Sequence, residues 1–198
     1  MKKLFAFLLA AMLMVTMTAC SGKTETPADD NNNQNAGSKE TDKSALELLN
    51  RVWESYTEDE KFPAAGGDMS EENMTMGAPG KFGITDAEAL NTTLGFPAAS
   101  ADKIDEAASL MHMMNANTFT CGAFHVKEVG DMADLSAAIK DNIMKRQWLC
   151  GFPDKLVIMK ADNYLITFFG ENEIVDTFKA KLAAACTSAE TVCDEPIA

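Results

Sequence analysis

The most specific chemistry in this chain is carried by four consecutive residues, Met17-Thr18-Ala19-Cys20. An apolar residue, two small ones and a cysteine have the form of a lipobox. The small side chains fit a peptidase pocket, and the Cys20 thiol is the nucleophile that takes a diacylglycerol. Lys2 and Lys3 make a short basic start, and Leu4 to Met17 follows without a charge. That is the n-region and h-region of a secretory signal. The apolar run is short for a membrane span, which needs about 20 apolar residues. The expectation is cleavage after Ala19, lipid on Cys20, and a protein held at the outer face of the cytoplasmic membrane without crossing it. An ordinary signal cut near Ala19, leaving Cys20 as a free thiol, is the competing reading, because small residues also precede ordinary cleavage sites.

Four further cysteines, Cys121, Cys150, Cys186 and Cys193, follow in the mature chain. An even number in an exported protein suggests disulfides. Cys186 and Cys193 bracket a short polar stretch after the last expected helix, so pairing them closes a small local loop. Cys121–Cys150 is the natural second bridge, joining an early strand to the end of a returning helix. It would contribute about 3–4 kcal/mol in the chain-entropy model. The alternative is that Cys121 and Cys150 are reduced core residues.

Other candidates are weaker. His112 stands among Met111, Met113 and Met114, with Met69, Met74 and Met76 upstream, and thioethers with imidazole suit Cu(I). Met is also common core filler, and that reading is preferred. His125, between Phe124 and Val126, is expected on the polar face of a strand. With 2 His and no ligand spacing, no metal site is expected, and no organic cofactor. There is no Gly-x-Ser-x-Gly or P-loop. Carboxylates are plentiful enough for a glycosidase-like pair, but sequence cannot place one. Asn115 and Asn117 suit a turn or a ligand contact. Trp148, near the end of an expected helix, is the candidate partner-binding residue.

The charge narrows the partners. With 17 Lys+Arg against 30 Asp+Glu the net charge is −13, and it becomes more negative when Lys2 and Lys3 leave with the signal. Such a surface repels nucleic acid and anionic headgroups. It tolerates a neutral or cationic partner.

These residues need elements to position them. Residues 1–19 are the signal and 20–43 a lipidated, flexible tether. Ser21 to Lys43 has no aromatic or large aliphatic side chain and cannot bury enough surface to fold. Residues 44–198 have the length of one domain. Ser44 with Glu47 opens a helix carrying Leu48, Leu49, Val52, Trp53 and Tyr56. Gly66-Gly67 to Pro79-Gly80 reads as an irregular connection. Thr85 with Glu88 opens a short helix ending at Gly95. Ser100 caps a third, with Ile104, Ala107, Ala108, Met111 and Met114 on its apolar face. Thr118 to Val129 reads as a strand. Asp131 caps a long helix running to about Leu149. Lys155–Lys160 and Tyr164–Phe169 form a hairpin around Ala161-Asp162-Asn163. A last helix carries Ile174, Val175, Phe178 and Leu182. The economical packing is α+β, a small antiparallel sheet of about three strands covered by helices.

The segment Thr85–Val126, above all Ala107-Ala108-Ser109-Leu110-Met111-His112-Met113-Met114-Asn115-Ala116-Asn117-Thr118-Phe119-Thr120, resembles a family of small bacterial lipoproteins of unknown function. The Asn142–Phe169 stretch is similar too. Some members carry the label "bacteriocin transport accessory protein". The resemblance implies a compact α+β domain and a peptide-export neighbourhood, and it brings no catalytic or ligand motif. Accessory proteins usually meant by that label resemble thioredoxins, whereas this chain has no Cys-x-x-Cys.

Two functions follow as expectations. The first is a non-enzymatic binding or accessory module, anchored in the bilayer through Cys20 and acting on an unknown protein or peptide partner. The alternative is a small cell-surface hydrolase using a carboxylate pair. A deep cleft with facing carboxylates would favour the hydrolase, and a shallow apolar patch around Trp148 the binder.

Overall fold

The computed structural model describes residues 42–149 and 151–197. The expected signal, nearly all of the tether, Cys20 and Cys150 lie outside the described residues.

Helix α1 is Ala45–Glu54, and the Ser44 hydroxyl caps it by accepting the Glu47 N–H at 3.0 Å. Asp42 and Lys43, assigned to the tether, already belong here: Arg51 is ion-paired with Asp42, and the Lys43 N–H donates to Glu47 at 2.9 Å. Three short strands follow, β1 (Ala64–Gly66), β2 (Thr75–Met76) and β3 (Gly80–Phe82), in the stretch expected to be irregular. Helix α2 is Ala87–Leu94. Its cap is Asp86 rather than Thr85, and the Gly95 φ of 74° ends it.

The largest correction concerns the third expected helix. Residues Ile104–His112 form strand β4, preceded by a 3-10 turn at Ala98–Lys103. Strand β5 (Phe119–Val126) pairs with it, and helix α3 (Met132–Met144) comes next. Helix α3 stops five residues short of Leu149. Asp131 does not cap it through its side chain, because that carboxylate accepts from Lys103 Nζ at 2.8 Å. Strands β6 (Lys155–Ala161) and β7 (Tyr164–Gly170) make the expected hairpin, with Asp162 at a φ of 50° in the turn. Helix α4 is Asn172–Ala185, and strand β8 (Glu190–Pro196) follows, where only a short polar stretch closed by a Cys186–Cys193 bridge was expected.

The sheet therefore has 8 strands, not about three. Its order is β2-β1-β4-β5-β7-β6-β8, with β3 also on β4, and every pair is antiparallel. Helices cover both faces. Leu48, Leu49 and Val52 of α1 and Val175, Phe178 and Leu182 of α4 pack on one face, with Phe119, Ile166 and Phe168. Leu90 and Leu94 of α2 and Leu135, Ile139 and Ile143 of α3 pack on the other, with Phe124, Leu165 and Phe169. The result is a three-layer mixed α+β domain.

This explains the β4 misreading. A strand buried on both faces has no polar side, so its apolar residues fill helical spacings as readily as alternate ones. Ala107, Ala108, Leu110 and Met111 are all buried. No helix among the described residues is long and apolar enough to cross a membrane.

The β1–β2 connection is held by one carboxylate. Asp68 accepts from the Ser70 hydroxyl at 2.6 Å, the Asn73 amide at 2.8 Å and the backbone N–H of Gly83 at 2.9 Å. Partial burial opposes ionisation, but these bonds and the one from the Ser70 N–H outweigh it, bringing the carboxyl down to about 2. The folded pKa is below the unfolded value of about 3.9. Its stabilisation is therefore present above about pH 4 and lost as pH falls through about 2. Asp68→Ala is expected to cost about 1–2 kcal/mol at pH 7, after allowing for solvent screening. Urea unfolding of both proteins at pH 7 and pH 2.5 checks this. A difference that does not shrink at low pH would show that the charge is not the cause.

Candidate functional site

At one end of the sheet two loops are tied together. The β4–β5 loop folds on itself: the Asn117 N–H donates to Asn115 Oδ1 at 2.9 Å, and Thr120 Oγ1 donates to Ala116 O at 2.8 Å. Asn117 Nδ2 then reaches the α3–β6 loop, donating to Leu149 O at 2.9 Å and Gly151 O at 3.0 Å. Asn117, read as a turn or ligand residue, is the clasp between the loops.

The clasped loops expose apolar side chains. Met113 is 47 %, Met114 75 %, Leu149 79 % and Phe152 74 % exposed. Clustered exposed apolar residues of this size mark interaction surfaces, whereas scattered ones need no explanation. Met111 is buried as expected, but Met114 is not, because it lies in a loop beyond β4 rather than on a helix face. Met69, Met74 and Met76 are exposed too. Core packing therefore accounts for Met111 and not for these others.

Trp148 is half-buried and packs against the second core. Its ring lies 5.2 Å from Phe169, with the Arg146 guanidinium 5.2 Å from its centroid. Because α3 ends at Met144, Trp148 folds back over the sheet instead of projecting from a helix end. Its neighbours Leu149 and Phe152 are the exposed pair. Gly151 and Pro153 were the signal for them: apolar residues in a Gly/Pro-punctuated loop have no element face to bury against.

A pocket of about 220 Å³ adjoins these loops, lined by Tyr56, Phe62, Ile174 and the acids Asp59, Glu60 and Glu173. Phe62 stacks on His112 at 5.7 Å, and the next residue, Pro63, accepts the Met113 N–H at 2.8 Å. Glu60 is held at about 2 by its hydrogen bond from Lys181 and by bonds from the Thr57 backbone and hydroxyl. Burial raises the Tyr56 pKa, and its hydroxyl has no hydrogen-bond partner among the described residues.

Cys186 and Cys193 do not pair as expected. Cys121, Cys186 and Cys193 are free and buried. Cys186 belongs to the α1/α4 core and Cys193 to the α2/α3 core. Strand β8 pairs with β6 and turns Cys193 to the face opposite Cys186, so closeness in sequence does not bring the thiols together. Burial raises all three thiol pKa values. The proposed partner of Cys121, Cys150, lies outside the described residues.

At the opposite end of the sheet, His125 Nδ1 lies 2.6 Å from Asp105 Oδ1. A β-bulge between Ile104 and Glu106 brings Asp105 there, which a helical reading of the segment concealed. Tyr164 is 5.1 Å from the His125 ring, in an open cleft of about 400 Å³ with Lys43 and Glu106. Burial, then the charges of Glu106 and Asp42, lift the Tyr164 pKa to about 12. The pair can orient an imidazole as a general base, but no hydroxyl or thiol among the described residues is hydrogen-bonded to it. A third cavity, about 480 Å³, lies between the start of α3 and β8. Three of its polar groups are already engaged: Lys160 pairs with Glu190 at 2.9 Å, and Ser136 donates to Met132 O at 2.8 Å.

Among the described residues no group of three His, Cys, Asp or Glu is placed to hold a metal. Comparisons with family models, curated proteins and solved structures returned no match.

Proposed function

We propose that this chain is a membrane-anchored extracytoplasmic binding module, lipidated on Cys20, that engages a protein or peptide partner without catalysing a reaction on it. The clasped apolar platform of Met113, Met114, Leu149 and Phe152 carries this reading. Its position fits a tethered protein. The chain enters the domain at Asp42, whose carbonyl accepts from Tyr164 Oη at 3.4 Å. Tyr164 pairs with His125 at the end of β5 far from the platform, so the platform can face away from the anchoring membrane.

The hydrolase alternative finds less support. Hydrogen bonds and lysine partners hold Glu60, Asp68, Asp141 and Asp194 low, so none of these four is poised as a general acid.

A photoreactive residue at position 152 in intact cells is expected to give a discrete crosslinked product that is absent when the same residue stands at Glu88. Identical products at both positions, or none at 152, would sink the platform reading. The anchor is tested separately. Cys20→Ala is expected to leave an unprocessed precursor or a released protein, and membrane retention of a correctly cleaved variant would exclude lipidation at that residue.

A further inference from the structure

Resting on the platform reading above, we infer that the segment docking there is amphipathic and cationic, with a Lys or Arg side chain in the Tyr56–Phe62 pocket. The platform supplies the apolar half of the contact, and the pocket supplies the charged half. Among the described residues Asp59 and Glu173 line that pocket without an ion pair; Lys181 Nζ already lies 5.2 Å from the Tyr56 ring centroid, which leaves Phe62 as the aromatic wall for an incoming cation. Carboxylates beside aromatic faces suit a guanidinium or ammonium on an apolar stem. Glu171 extends the acidic rim toward the platform, its N–H donating to Thr118 O at 2.9 Å in the clasped loop.

The cations near this end are already engaged. Lys61 pairs with Glu58 at 2.9 Å, Lys181 with Glu60 at 2.7 Å and Lys145 with Asp141 at 2.7 Å. Arg146 turns inward, donating to Asn91 O at 2.8 Å. The acids left without an ion pair among the described residues of the pocket, Asp59 and Glu173, favour a basic segment there over an acidic one. They also weigh against an anionic lipid surface as the occupant.

The test uses the full lipidated protein in phosphatidylcholine nanodiscs, with empty nanodiscs as the reference. The probes are two helical peptides of equal length, one of Leu and Lys and one of Leu and Glu. Reference-subtracted binding is expected for the Leu/Lys peptide alone. The double variant Asp59→Asn/Glu173→Gln should weaken it by about tenfold, the sum of two modest exposed pairs. Leu149→Ser/Phe152→Ser should weaken it at least as much. All four positions are at the surface, and an unchanged melting temperature confirms that the variants fold. Equal binding of both peptides, or no effect of the acid-to-amide variant, overturns the cationic assignment while leaving the platform intact. Binding that ignores both pairs of substitutions overturns both readings. An environment-sensitive fluorophore at position 152 that reports lipid contact on anionic nanodiscs without peptide would assign the platform to the bilayer instead.

Discussion

Gly66→Ala is expected to be strongly destabilising for the addition of a single methyl group. A Cβ at Gly66 would lie 2.1 Å from the Gly80 nitrogen and 2.5 Å from both the Pro79 carbonyl carbon and the Ser109 oxygen. All three are backbone atoms, so no flexible side chain can give way. The surroundings are pinned as well. Ser109 Oγ accepts the Gly67 N–H at 2.9 Å and donates to Gly67 O at 3.1 Å, locking β1 over β4. Forcing the backbones apart should cost about 3 kcal/mol or more, lowering the melting temperature by about 10 °C in a domain of this size. Gly130→Ala is the control. Nothing lies within 4 Å of a Cβ there, and its effect should stay within about 0.5 kcal/mol. Melting curves followed by circular dichroism decide the matter, and equal melting temperatures for the two variants would refute the close approach.

Phe168→Ala should cost about 3–5 kcal/mol. Phe168 is fully buried on β7, with its ring 4.9 Å from Phe178 and 6.4 Å from Phe119. Sheet and α4 meet on these rings, and β7 lies between β5 and β6, so the cavity left behind cannot collapse easily. The melting temperature should fall by about 10–15 °C. Phe152→Ala removes the same atoms from a side chain that is 74 % exposed. It should leave stability nearly unchanged while weakening the crosslink from a photoreactive residue placed at position 114. Thermal melts and intact-cell crosslinking on the two variants separate a packing phenylalanine from a binding one. A Phe152→Ala protein as destabilised as Phe168→Ala would remove the platform from consideration.

The elements that could be read from the chain were those whose signals are local. Ser44 and Glu47 cap α1, and its stripe at Leu48, Leu49 and Val52 faces one core. Asp162-Asn163 turns a hairpin because Asp tolerates the left-handed backbone found there. Helix α4 kept its predicted face. Strand β4 was not legible, because burial on both sides erases the alternation that marks a strand. Strand β8 was hidden for another reason. Its Glu190, Asp194 and Glu195 look like a solvated tail until Lys160, Lys155, Lys179 and Lys140 are brought beside them. Those lysines come from β6, α3 and α4, so no local pattern announces them.

The same division runs through the candidate site. The lipobox, the acidic balance and the Gly/Pro-bounded Leu149–Pro153 stretch are properties of neighbouring residues. The sequence by itself therefore set the expectation of an anchored protein that repels polyanions, and it determined the helices and hairpin with local signals. Only the tertiary structure decided that Asn117 clasps two loops 32 residues apart. It also decided that Trp148 turns inward while Phe152 stays out, and that Cys186 and Cys193 end on opposite faces of one sheet. These are long-range pairings, set by how the sheet closes and which face each strand turns to a helix. Periodicity along a chain carries the second only when one face meets water, and in β5 and β7 neither does.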